Sequence, residues 1–167
     1  MTARTRRFIS VLSLLFFSAC DEGLKPVPAY VPSGTLSGLI TYHNWPPRDS
    51  LVNLRIVAFT EFPPTDIVFS VLQGIAAVYP SIGDTALIPF YVDSLRYSFV
   101  VRAGHYPYVV VAQQFGPDVM KNWRVVGQYD LDTNLAVPEA IDVPDRGVVK
   151  DVNINVDFTN LPPQPFK

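Results

Sequence analysis

Apolar and polar residues alternate along most of this chain with a period of two, in short runs separated by turn-forming residues. Leu36, Gly38, Ile40 and Tyr42 alternate with Ser37, Leu39 and Thr41 and predict a first strand, broken at Trp45-Pro46-Pro47-Arg48-Asp49. Leu54 to Phe59 predicts a second, ended by Phe62-Pro63-Pro64. Residues 66–78 carry two signals. Thr65 could cap a short helix through Ile67, Val71 and Leu72, yet Ile67-Val68-Phe69 favours β structure, and strand is the reading taken. Ala86 to Val92 follows as an edge strand, because Pro89 has no N–H to give a ladder. Leu95, Tyr97, Phe99 and Val101 alternate with Arg96, Ser98 and Arg102, a half-buried strand that turns at Ala103-Gly104-His105.

Tyr108 to Ala112 is apolar at every position, as expected of a central strand covered on both sides. Gln114 to Asn122 reads as a loop with one helical turn after Asp118, and Trp123 to Tyr129 as the next strand. In the last, Val152, Ile154, Val156 and Phe158 alternate strictly with Asp151, Asn153, Asn155 and Asp157, one face to the core and one to water. These short strands, with no convincing long helix and no repeat of fixed period, predict an all-β fold: a seven- to eight-stranded antiparallel β-sandwich.

The N-terminus has a different pattern. Arg4, Arg6 and Arg7 precede an apolar run from Phe8 to Phe17, interrupted only by Ser10 and Ser13, and then come Ser18, Ala19 and Cys20. A positive segment, an apolar core and small residues, in that order, make a secretory signal. The run is about half of the ~20 residues a membrane-spanning helix needs. Phe17-Ser18-Ala19-Cys20 resembles the lipobox of bacterial lipoproteins, with Phe17 where Leu is commonest. The resemblance implies removal of residues 1–19 and lipid on the Cys20 thiol. Two or more acyl chains hold a protein firmly to a bilayer where one does not. Cys20 is the sole cysteine, so lipidation leaves no thiol for a disulfide and the fold must be held by its core alone.

Asp21, next to the cysteine, marks inner-membrane retention in enterobacteria, whereas acidic residues there accompany surface export in other lineages. Pro26, Pro28 and Pro32 make residues 20–33 an extended tether that rises about 3.1 Å per residue. The organisation expected is thus a signal peptide at 1–19, lipidated cysteine and tether at 20–33, a sandwich at 34–158 and a Pro-rich tail at 159–167, with the domain in the periplasm or at the cell surface.

Composition supports one folded domain. The 167 residues are 49% hydrophobic and only 17% charged, against about 25% in ordinary domains. Sixteen prolines suit short strands and stiff connections. Removing the three N-terminal arginines leaves ten basic residues against fifteen acidic, which argues against nucleic acid as a partner.

Two segments resemble a known family. Ser37-Gly38-Leu39-Ile40-Thr41, followed by Val57-Ala58-Phe59, and the stretch from Val101 through Gly104-His105-Tyr106 to Ala112 look like carboxypeptidase regulatory-like and transthyretin-like sandwiches. That resemblance implies a hairpin around Gly104 and an accessory, structural or ligand-presenting module. The stretch from Glu61 to Asp84 departs from the compact family pattern, and the C-terminal motif of the hydrolase members is replaced by Pro-Gln-Pro-Phe-Lys.

Candidate chemistry is sparse, and neither a catalytic apparatus nor a cofactor is expected. His43 and His105 each fall in a predicted turn. Asp130, Asp132 and Asn134 resemble the opening of a calcium loop, but Leu135 stands where such loops turn at Gly and Ile141 at their twelfth position, and a plain turn explains the same residues. Trp45, Tyr91, Trp123 and Tyr129, near strand ends, are candidates for a platform that takes sugar or peptide. The expectation is a lipid-anchored, non-enzymatic binding or structural accessory of the cell envelope, partnered by the membrane and by another envelope protein or a carbohydrate. The rivals are an envelope hydrolase with a cryptic site and a periplasmic carrier with an open cavity between its sheets.

Overall fold

Among the described residues, 29–132 and 134–166 of the computed structural model, ten strands, one short α-helix and a 3-10 turn at Arg48–Ser50 make up the domain. The signal segment, Cys20 and most of the tether lie outside the described residues.

The strands are β1 (Ser33–His43), β2 (Asn53–Phe59), β3 (Ala76–Tyr79), β4 (Ser94–Arg102), β5 (Gly104–Tyr106), β6 (Tyr108–Gln114), β7 (Trp123–Tyr129), β8 (Ile141–Val143), β9 (Val148–Val149) and β10 (Ile154–Asp157). Helix α1 (Ile67–Leu72) lies between β2 and β3. One eight-stranded sheet runs β3-β2-β6-β7-β10-β1-β4, with β9 beside β1, and β5 pairs separately with β8.

The sheet is mixed, which corrects the antiparallel expectation: β9 and β10 both run parallel to β1. Alternating side chains dictate which face is buried and leave the direction of the neighbour open. β9 and β10 follow one another along the same edge of β1, interrupted near Asp151, whose φ is 61°. At that interruption the Val152 carbonyl lies against Gly38, so close that a Cβ on residue 38 would overlap it. Gly38 is there because only a hydrogen fits.

The sheet curls like a half-barrel and its concave side holds the main core. Leu36, Ile40, Leu54, Ile56, Val109, Val111, Val126, Ile154 and Val156 are all at most 1% exposed there. Tyr79 of β3 and Phe99 of β4 stack with centroids 5.4 Å apart, so the two edges of the sheet meet across the core. The alternations read from β1, β4 and β10 point inward as expected.

A second cluster covers the convex side of β2 and β6. Val57, Phe59, Tyr108, Val110 and Ala112 pack under Ile67 of α1, with Val71 and the tail residue Phe166 beside them. β6 is therefore sandwiched, all seven of its residues being buried; its first five are apolar, and the two that are not, Gln113 and Gln114, donate from their amides to Ser50 O and Gly116 O.

Three further expectations are corrected. Residues 67–72 form a helix, with Asp66 and not Thr65 as its cap: Asp66 Oδ1 accepts from Phe69 N at 2.8 Å. The β-prone Ile-Val-Phe run is overruled by a capped turn whose apolar side has a sheet to cover. Residues 86–92 form no strand among the described residues, although Ile88 is buried. Finally, the stretch through Gly104 is a crossover and not a hairpin. β4 pairs with β1 and β6 with β2 and β7, while β5 between them pairs with β8.

Candidate functional site

The convex side of β2 carries a groove. Asn53 and Arg55 alternate with the core residues Leu54 and Ile56, so their side chains leave the sheet on the side that α1 covers only in part. Val68, Val71 and Leu72 of α1 form one wall; Val119, Met120 and Trp123 form the other. The space between is about 350 Å³.

Both walls are held in place locally. The Ser70 hydroxyl donates to Asp66 O at 2.6 Å, and Gly74, with φ 72°, turns the chain out of α1. Opposite, Asp118 accepts from Met120 N at 2.9 Å, Asn122 Oδ1 accepts from Asp118 N at 3.0 Å, and the Trp123 indole donates to Val119 O at 2.8 Å. These Asx-type bonds pre-set the loop.

At the mouth, Leu72, Ile82, Val119 and Met120 are each more than half exposed, a concentration of large apolar side chains around one opening. The floor is polar. The Arg55 Nη1 donates to Pro80 O at 2.9 Å and to Ser81 O at 3.4 Å. Partial burial pushes the guanidinium below its ordinary value, and the field of Asp84 opposes that shift. Among the described residues no carboxylate reaches ion-pair distance of Arg55. The buried Asn53 Oδ1 accepts no hydrogen bond. A partly buried cation in no direct ion pair and an orphaned acceptor on one strand face are both costs in the free protein.

A larger cleft of about 580 Å³ lies on the convex side of β1, β10 and β7, lined by Thr41, Gln128, Asn153, Asn155 and Asp157 among others. Its polar groups largely satisfy one another. Thr41 Oγ1 donates to Asn155 Oδ1 at 3.1 Å, Leu39 N to Asn153 Oδ1 at 2.8 Å, and Gln128 Nε2 to Asp130 Oδ2 and Leu135 O at 3.0 Å each. Unmet hydrogen-bonding demand separates the two clefts and favours the apolar one as a site.

The aromatic candidates do not form one platform. Trp123 lines the groove. Trp45 and Tyr91 lie together elsewhere, in a cluster where Trp45 meets Tyr42, Tyr91 and Phe158 at centroid distances of 4.7, 5.2 and 4.9 Å. The Tyr91 hydroxyl donates to Pro46 O and the Trp45 indole to Val92 O, both at 3.0 Å, and the Arg48 guanidinium sits 4.6 Å from the Tyr91 ring centroid. That cluster ties two loops together. Tyr129 packs against the main core.

Asp130, Asp132 and Asn134 accept from the backbone N–H two residues on, at Asp132, Asn134 and Ala136, in successive Asx turns. Their side-chain oxygens organise the loop, and among the described residues no group of three or more His, Cys, Asp or Glu side chains gathers to hold a metal ion. The histidines lie in strands and not in turns: His43 ends β1, in register with Asp157, and His105 in β5 meets Asp142.

The sequence reading missed Asn53, Arg55 and the α1 wall. A signal was present, since two polar residues at alternate positions of β2 are followed on the same face by the apolar Val57 and Phe59.

No protein-family model matches the chain, and no curated protein does. A solved structure of a leucine-rich repeat protein from Bacteroides thetaiotaomicron is similar over 77% of this chain and 14% of its own length, at 12% identity. The TM-score is 0.37, too low to carry an argument about fold or function.

Proposed function

We propose that this chain is a lipid-anchored protein of the bacterial cell envelope, held to the membrane through Cys20, whose β-sandwich domain is a non-enzymatic binding module with its ligand face on the convex side of β2. The single observation that carries the binding reading is the groove: exposed apolar walls over a floor with an Arg55 in no direct ion pair and an unpartnered Asn53 oxygen. Its position outside the core favours a presented surface over a carrier chamber between two layers, because the concave side is filled by side chains. The anchor reading stands on the order Arg6-Arg7, apolar run, Ser18-Ala19-Cys20. No helix among the described residues is long and apolar enough to cross a membrane.

Expression in a bacterial host followed by detergent phase partitioning and intact-mass measurement tests the anchor. The expected product starts at Cys20, carries added acyl mass and enters the detergent phase, while Cys20→Ser stays aqueous. A wild-type chain with bare Cys20, or a variant that partitions like it, overturns the anchor.

A further inference from the structure

We infer that the groove takes the carboxyl terminus of a short peptide ending in apolar residues. The inference deepens the binding reading above and rests on it. Each part of the groove makes its own demand. Exposed apolar walls, with Leu72 on one side and Met120 on the other, call for apolar side chains. Arg55 calls for an anion: it is partly desolvated, Asp84 acts on it only from beyond ion-pair distance, and only its Nη1 is engaged, by two carbonyl oxygens. The donors left on Nε and Nη2 form the fork that matches a carboxylate in two parallel hydrogen bonds.

Asn53 calls for a donor. Its Oδ1 is buried and unpartnered, two residues from Arg55 on the same strand face, so the two α-carbons are separated by about 6–7 Å. A fatty acid would satisfy Arg55 and leave Asn53 orphaned. An apolar alcohol or amide would satisfy Asn53 and leave the guanidinium without a direct ion-pair partner. A peptide terminus carries its carboxylate and backbone N–H groups within one or two residues of each other, with apolar side chains beside them. The 350 Å³ of the groove is at the low end of ligand sites, roughly 300–1,000 Å³, which suits one or two terminal residues and excludes a folded domain.

The test uses the purified full-length protein with three probes: N-acetyl-leucyl-leucine with a free carboxylate, the same dipeptide as its carboxamide, and decanoate. Affinity is read by calorimetry, and location by the NMR signals of the Trp123 indole N–H and Arg55 Nε–H. The free carboxylate should bind saturably and shift both signals, with the carboxamide and decanoate each at least tenfold weaker. Arg55→Gln should abolish the preference for carboxylate over carboxamide. Because Arg55 also holds Pro80 O and Ser81 O, a second variant, Leu72→Glu, leaves those bonds intact and should weaken the free carboxylate by placing a like charge at the mouth. Equal binding of carboxylate and carboxamide, or tighter binding of decanoate, overturns the ligand class while leaving the groove as a site. Failure of all three probes to move the Trp123 signal overturns the groove reading itself.

Discussion

Gln164 and Val125 are joined as two neighbouring strands would be. Val125 N donates to Gln164 Oε1 at 2.9 Å, and Gln164 Nε2 donates to Val125 O at 3.0 Å. The ladder between β7 and β10 reaches only from Tyr129 to Gly127, so Val125 has an unpaired edge, and Val125 itself is fully buried. A buried N–H and C=O without partners would cost about 1–3 kcal/mol each. One side-chain amide, brought by a tail too rich in proline to form a strand, supplies both partners. Gln164→Ala is therefore expected to destabilise the domain by about 2–4 kcal/mol, and Gln164→Glu by a similar amount because a carboxylate cannot donate. Urea unfolding monitored by circular dichroism checks this. A loss below about 0.5 kcal/mol would mean that water serves the edge as well.

Gly38 and Gly83 form an internally controlled pair. A Cβ at Gly38 overlaps the Val152 carbonyl in the place where β9 passes into β10, and backbone on both sides is committed to β1. Gly38→Ala should cost about 3 kcal/mol or more, through displacement of the parallel strand. A Cβ at Gly83 meets nothing within 4 Å, so Gly83→Ala should be neutral or slightly stabilising through the unfolded chain. Equal melting temperatures for the two variants would contradict the close approach at residue 38.

Much of this fold is written in the chain as period two, because a strand with one wet face must alternate. β1, β4 and β10 are legible on that ground, and β6 is legible from Tyr108 to Ala112, where both faces are covered and every residue is apolar, though its buried Gln113 and Gln114 carry no such signal. The parallel placement of β10 is not, since Val152, Ile154 and Val156 would alternate in the same way beside a neighbour of either direction. Helix α1 was hidden by Ile67-Val68-Phe69, whose local preference yields to the Asp66 cap and to the surface of β2 and β6 beneath it. The groove was hidden for a related reason. Arg55 reads as an ordinary wet position of a strand until Pro80 and Ser81, twenty-five residues on, are seen to fold back against its guanidinium.

Asp157 predicts a defined response to acid. Asn44 Nδ2 donates to its Oδ1 at 2.9 Å, Thr159 N at 2.9 Å and the Thr159 hydroxyl at 2.7 Å, and together they lower the carboxyl from 3.8 to about 2. A depressed carboxylate contributes stability that is present above its unfolded value and is lost as pH falls through its folded one. The contribution of Asp157 should thus be complete above about pH 4 and disappear toward pH 2. The carboxyl carbon resonance should titrate near 2, and Asp157→Asn should flatten the stability profile between those limits. A midpoint near 4 would show that the three donors do not hold the ionised form.

The apolar mouth of the groove makes the last prediction, because stability and binding should separate there. Ile67 and Leu72 lie on the same six-residue helix, but Ile67 is 5% exposed against the sheet whereas Leu72 is 62% exposed. Ile67→Ala removes buried methyl and methylene groups and should cost about 2–5 kcal/mol. Leu72→Ser removes a side chain that covers little in the free protein, so its effect on stability should stay within about 0.5 kcal/mol. A ligand that covered Leu72 would gain part of the roughly 1.5–3 kcal/mol released when a leucine is fully buried, and half that amount corresponds to about three- to twelvefold in affinity. Leu72→Ser should therefore weaken N-acetyl-leucyl-leucine by about three- to twelvefold while the unfolding midpoint stays put. If Leu72→Ser unfolds as readily as Ile67→Ala, the side chain packs against the domain in solution, and the mouth is a piece of core and not a surface kept open for a partner.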